Sequence, residues 1–155
     1  MIYSNYIAGE WQAPGESGKF PVVNPATGEV FAEVSSATAD DVRRAIDGAE
    51  AARAGWAATP AIERSVIMRR AAQIMMDRID DLAEILVREQ GKPLAQAKGE
   101  ITYGCGFIDW FAEEGRRAYG TTIPASVPDK RIVIIRQPIG ISVAITPWNF
   151  PSLQL

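Results

Sequence analysis

Asn149 lies between two aromatic residues, Trp148 and Phe150, with Pro147 and Pro151 constraining the backbone on either side. An Asn amide has two donor hydrogens and no charge, which suits it to hold an oxyanion as it forms. The residues before it, Ile141, Val143, Ala144 and Ile145, make a short apolar run bounded by Gly140 and Pro147, the pattern of a strand buried on both faces. On that reading Asn149 falls beyond the carboxyl end of a strand, where ligands bind in open α/β sheets. The competing reading is a proline-bracketed turn whose Asn bonds its own backbone. Spacing alone leaves both open.

Other residue types narrow the chemistry. Cys105 is the only cysteine and there is no histidine, so the chain can form neither an intrachain disulfide nor a self-contained triad or zinc centre, and no metal site is expected. Cys105 sits in a glycine-rich stretch with no Lys or Arg within four positions, so nothing nearby lowers its pKa; it reads as a small buried hydrophobe. A net charge of −3 with the signs interspersed gives no basic footprint for nucleic acid and no polybasic patch for an anionic membrane. No signal peptide precedes Met1-Ile2-Tyr3-Ser4 and no apolar run nears the ~20 residues of a spanning helix, so a cytoplasmic location is expected. With 155 residues, 47% of them hydrophobic, there is enough chain for one domain with a real core.

The elements that must position Asn149 follow from periodicity and turn chemistry. Val22-Val23 and Val30-Phe31 flank Asn24-Pro25-Ala26-Thr27-Gly28, predicting a hairpin-like excursion. Thr38 begins a helix with Asp40 and Asp41 in its first turn, and Val42, Ala45, Ile46, Ala49 and Ala52 recur at helical spacing as far as Gly55. Thr59 and Pro60 read as N-cap and first residue of a second helix, with Ile62, Val66, Ile67, Ile74 and Met75 on its apolar side. A third helix carries Ile79, Leu82, Ile85 and Leu86 before Gly91-Lys92-Pro93 closes it.

A fourth helix, about Pro93 to Ala118, contains four glycines, each costing roughly 0.8–1 kcal/mol against alanine. Tyr103, Phe107, Trp110, Phe111 and Glu114 fall on one of its faces, beside glycines that allow close backbone approach. An aromatic core face explains that stripe as well as a ligand surface does. Arg131 to Arg136 then reads as a strand with a charge at each end.

Several segments together resemble the aldehyde dehydrogenase superfamily. They are Thr146-Pro147-Trp148-Asn149-Phe150-Pro151, preceded in order by Tyr6-Ile7-Ala8-Gly9-Glu10-Trp11, Val23-Asn24-Pro25-Ala26-Thr27-Gly28-Glu29, Glu89-Gln90-Gly91-Lys92-Pro93, Trp110 to Glu114, Tyr119 to Pro124 and Arg136 to Gly140. The resemblance covers the whole chain and is closest to the succinate-semialdehyde dehydrogenase group, through Glu113 to Gly120 and Lys130 to Gln137.

It implies an α/β fold: the N-terminal part of an aldehyde dehydrogenase, with helices, a partial Rossmann-like sheet and a bridging strand, cut short. Residues 1–118 would belong to the NAD(P)-binding domain, 119–138 to a bridging segment for oligomerisation, and 139–155 to the first strand of the return to the nucleotide-binding domain. Truncation is expected on physical grounds too, because a buried parallel strand needs neighbours on both edges, and Ser152 to Leu155 reads as a helix start with Ser152 as cap.

The reaction implied is oxidation of a small-molecule aldehyde, succinate semialdehyde by subgroup, to the acid with NAD or NADP. Asn149 is the implied catalytic donor to the oxyanion. Ile145, Thr146, Pro147, Trp148 and Asn149 would contact the cofactor, and Tyr103, Phe107 and Phe150 would line the aldehyde tunnel. The family's nucleophilic cysteine and basic glutamate are expected beyond Leu155, so the chain alone is expected inactive. No phosphate-binding glycine loop is present, so weak nucleotide binding is expected of it. A full-length form would be a homo-oligomer, dimer or tetramer. The alternative is a non-catalytic association module that binds a longer relative.

Overall fold

The structure, a computed structural model, describes residues 2–13 and 18–153. Strands β1 (Ile2–Tyr3), β4 (Lys19–Val23) and β5 (Val30–Ser35) form one sheet in the order β1-β5-β4, with β4 antiparallel and β1 parallel to β5. Between β1 and β4 lies a small hairpin of β2 (Tyr6–Ile7) and β3 (Glu10–Trp11). The β4–β5 turn is the expected one: Asn24 Oδ1 accepts from the Ala26 N–H at 2.9 Å and Gly28 takes a φ of 75°. The three-stranded sheet is therefore mixed, and it is built from the N-terminal arm.

Four helices follow: α1 (Ala39–Ala58), α2 (Ala61–Asp77), α3 (Ile79–Gln90) and α4 (Leu94–Glu114). α1 opens with a full capping box. The Thr38 hydroxyl accepts from the Asp41 N–H at 3.1 Å, and the Asp41 carboxylate accepts from the Thr38 N–H at 2.8 Å. Two sequence expectations change at the other end. α1 runs past Gly55, and Thr59 serves as its C-cap, its hydroxyl donating to the Gly55 carbonyl at 2.9 Å, while Pro60 takes the N-cap position of α2 without a side-chain bond.

The inward side of α2 also differs. Ser65 and Ala72 are its buried residues, whereas Ile62, Val66, Ile67 and Ile74 are exposed. Close packing on α4 takes small side chains: the Cys105 Sγ lies 3.6 Å from the Ala72 carbonyl oxygen. The core joins three helices through Ala72, Ala83, Leu86, Ala97, Ile101 and Cys105, flanked by half-buried Met75, Met76, Ile79, Leu82, Val87 and Ile108.

Gly91 ends α3 in the left-handed region at φ 72°, and Pro93 begins α4. A Cβ on Gly91 would come within 3.1 Å of the Pro25 ring, so the α3–α4 corner rests on the β4–β5 turn. α4 continues into a short 3-10 turn, Gly115–Arg117. Beyond it β6 (Thr121–Ile123) and β7 (Ile132–Ile134) pair as an antiparallel ribbon, inside the 119–138 span that the resemblance assigns to bridging.

The run 139–145 forms no strand. Ile139, Val143 and Ile145 are 97%, 75% and 93% exposed. No described strand runs beside them, and an extended segment without a ladder partner keeps its backbone groups in water. The next regular element is a second 3-10 turn, Pro151–Leu153, which places Ser152 inside the turn and not at its cap; Gln154 and Leu155 lie outside the described residues. No helix among the described residues is long and apolar enough to cross a membrane.

Candidate active-site segment

The segment from Trp148 to Ser152 lies on the first half of α4 and on the corner before it. Three side chains and one glycine hold it there. Gln90 Nε2 donates to the Trp148 carbonyl. Lys92 Nζ donates to the Asn149 carbonyl at 3.1 Å. The same ammonium is paired with the Glu100 carboxylate and lies 4.7 Å from the centre of the Phe150 ring. Glu100 Oε1 accepts from the Ser152 N–H at 3.1 Å. Opposite Ser152 the helix carries Gly104, where a Cβ would stand 2.4 Å from the Ser152 carbonyl oxygen.

This explains one of the three glycines of α4, a fourth, Gly115, lying in the 3-10 turn that follows, since any side chain at position 104 would displace the turn at Ser152. Nothing lies within 4 Å of a Cβ added at Gly99, Gly106 or Gly115, so close approach accounts for Gly104 alone.

Asn149 is exposed, and its side-chain amide makes no hydrogen bond among the described residues. The turn reading, in which this amide bonds its own backbone, is therefore not the arrangement found. The backbone around Asn149 is anchored by other residues, which leaves both amide donors for a ligand. Its neighbours are open as well: Ile145 is 93% and Trp148 is 83% exposed, while Thr146 is half-buried. Together they leave an apolar and ring surface exposed in the residues that lead into Asn149.

Tyr103 and Phe107 are brought together on α4, their rings 5.0 Å apart in an edge-to-face arrangement. With Gly106, Trp110 and Phe111 they line an almost wholly apolar groove of about 370 Å³. Phe150 is not part of that lining; it sits on the Lys92 ammonium instead. The stripe is thus not a core face within this chain, for Tyr103, Trp110 and Phe111 are each more than half exposed.

Cys105 lies on the opposite side of α4, 4% exposed. Burial pushes its thiol pKa up and the nearby Asp109 carboxylate adds to the shift. A thiolate is disfavoured there on both counts, which agrees with its reading as a buried hydrophobe.

The residues that sequence reasoning passed over are Gln90, Lys92, Glu100 and Ser152. Gln90 and Lys92 figure in the sequence reading only within the Glu89 to Pro93 segment, as a helix end and as part of the family resemblance, without a site role. Glu100 carried a usable signal: it falls between Ala97, Ile101 and Gly104 on the buried face of α4, and a carboxylate there needs a partner.

The Aldehyde dehydrogenase family model matches residues 11–155. The chain is 51% identical over 150 residues to a glutarate-semialdehyde dehydrogenase of Pseudomonas putida, covering 97% of this chain and 31% of that protein. It is 50% identical over 149 residues to the NADP(+) succinate-semialdehyde dehydrogenase of Escherichia coli, covering 96% and 31%. The crystal structure of succinate-semialdehyde dehydrogenase from Burkholderia pseudomallei superposes with a TM-score of 0.95 at 51% identity, over 98% of this chain and 32% of that one. The chain thus spans about a third of the length of the curated relatives it matches.

Proposed function

Because the chain belongs to the aldehyde dehydrogenase family, we propose that it forms the N-terminal part of an enzyme that oxidises a semialdehyde to the acid with NAD or NADP. The observation that carries this reading is the anchored Asn149: its backbone is held by Gln90 and Lys92 while its amide has no partner among the described residues. In the reaction that amide donates to the aldehyde oxygen as the carbon becomes tetrahedral and the oxygen negative. An uncharged donor fits the step, since it stabilises the oxyanion without binding a carboxylate product as an ion pair. The semialdehyde class rests on the relatives, two of which bear the names glutarate-semialdehyde and succinate-semialdehyde dehydrogenase.

NAD or NADP, when bound, supplies the hydride acceptor. The exposed surfaces of Ile145, Pro147 and Trp148, with half-buried Thr146, suit the flat nicotinamide end, and these residues immediately precede Asn149 in the chain. Tyr103 and Phe107, in the groove on α4, guide the apolar part of the aldehyde, whereas Phe150, held on the Lys92 ammonium outside that groove, has no part in it here. The attacking thiolate is not Cys105, whose burial and raised pKa disfavour ionisation. This chain on its own therefore lacks a competent nucleophile, and it binds nucleotide weakly for want of a phosphate loop.

The test joins residues 1–155 to the remaining part of the E. coli relative and assays succinate and glutarate semialdehyde with both cofactors. Turnover that collapses on Asn149→Ala is expected; turnover indifferent to that change would sink the reading. Turnover by the 155-residue chain alone would overturn the claim that it is inactive by itself.

A second reading, an association module, draws on the β6–β7 ribbon. Val133 in β7 and Ile135 just after it are each 64% exposed, and an open strand edge with apolar side chains invites pairing with another chain. The two readings are compatible if the ribbon mediates homo-oligomer formation. Free elution of the chain from a longer relative at every concentration in size exclusion would count against it.

A further inference from the structure

We propose that Lys92 and Glu100 are positioning residues for Asn149, an inference that rests on the oxyanion role given to Asn149 above. Lys92 and Glu100 are desolvated, their side chains 14% and 2% exposed. A buried ion pair is well placed only when its remaining donors and acceptors are also satisfied. Here those extra partners are backbone groups of one short segment. Lys92 reaches the carbonyl of residue 149, and Glu100 reaches the N–H of residue 152. Pro151 has no N–H, so Ser152 is the first donor available after Phe150.

Gln90 adds the carbonyl of Trp148. The two peptide groups that flank the Cα of Asn149 are thereby both tied to the α3–α4 corner. Fixing both planes fixes the direction of the Cα–Cβ bond between them, and so the point from which the amide projects, leaving it only its χ1 and χ2 rotations. A lysine suits this task because its three rotatable donors serve three partners at once, the Glu100 carboxylate, the Asn149 carbonyl and the Phe150 ring.

The pair acts through another residue, so its signature is kinetic coupling and not merely lost stability. In the joined enzyme, Lys92→Met and Glu100→Gln should each lower kcat on the order of 10- to 100-fold, the scale of a small misplacement of a reacting group, with little change in KM for the aldehyde. Lys92→Arg keeps the charge and should recover part of the loss. Adding Lys92→Met to Asn149→Ala should lower kcat no further, because the two act as one unit.

Multiplicative losses in that double variant, or full kcat with only a lower Tm, would overturn the proposal. Exchange of the Ser152 amide in the 155-residue chain gives an independent readout. It should quicken in Glu100→Gln and Lys92→Met while amides within α4 keep their protection; unchanged exchange would also overturn the proposal. If Asn149→Ala left kcat intact while Ser152 exchange quickened, the oxyanion role would fail and the anchoring would stand.

Discussion

Gly104 faces Ser152 so closely that a Cβ on the glycine would stand 2.4 Å from the serine's carbonyl oxygen. Backbone cannot yield as a flexible side chain can. Gly104→Ala should therefore lift the Pro151–Leu153 turn from α4 and destabilise the chain by about 1–3 kcal/mol, as overpacking does. Gly106→Ala, where nothing lies within 4 Å of the new methyl, should instead stabilise α4 by roughly 0.5–1 kcal/mol. Urea unfolding of the two variants side by side checks the opposite signs.

Asn149→Ala separates fold from chemistry. The amide has no partner among the described residues, so its removal should change unfolding free energy by less than about 0.5 kcal/mol. In the joined enzyme the same change should remove about 2.7–4 kcal/mol of transition-state stabilisation, read as kcat. Loss of both stability and activity together would mean that the amide is structural.

The start of α1 should respond to acid. Backbone and side-chain bonds from Thr38, with the Arg44 guanidinium, lower the Asp41 pKa from 3.8 to about 2. A carboxyl whose folded pKa lies below its unfolded value stabilises the fold above the unfolded value and ceases to do so as pH falls through the folded one. Protection of the first-turn amides of α1 should therefore decline between about pH 4 and pH 2. Asp41→Asn should remove that acid limb, and Thr38→Ala should cost about 1 kcal/mol at neutral pH through loss of the cap.

Cys105 should resist alkylation in the folded chain. It is 4% exposed with a raised thiol pKa, so both access and thiolate fraction are reduced. Iodoacetamide at pH 8 should label it slowly in buffer and at the rate of a free thiol in urea. Rapid labelling of the native chain would reopen its candidacy as a nucleophile.

Local chemistry was readable in the sequence where its partners are local. The helix start at Thr38, the Asn24–Gly28 turn and the Gly91 stop are each closed by residues within a few positions, and each forms as expected, the first with a reciprocal Thr38–Asp41 box that the sequence reading did not name. Thr59 shows the limit: the same hydroxyl can begin one helix or end another, and the Gly55 carbonyl takes it. The apolar positions of α2 signalled burial, yet Ala72 and Ser65 face α4, because helix spacing identifies an apolar stripe and not its neighbour. Residues 139–145 have strand composition but no described strand alongside, and composition cannot supply a ladder. At the site, Asn149 stood out through its prolines and aromatics. Its supports at 90, 92 and 100 did not, since they are linked to it only through folding.

Those supports lie far from it along the chain: 57 residues separate Lys92 from Asn149 and 52 separate Glu100 from Ser152. The helices that present them join through shorter connections. Closing a long loop carries an entropic penalty that short contacts do not, so the order of assembly follows from the topology. The helical platform can form while the polypeptide is still being made, and the Trp148–Ser152 segment docks onto it afterwards. Synthesis would thus complete the cradle for the oxyanion donor before the donor itself emerges.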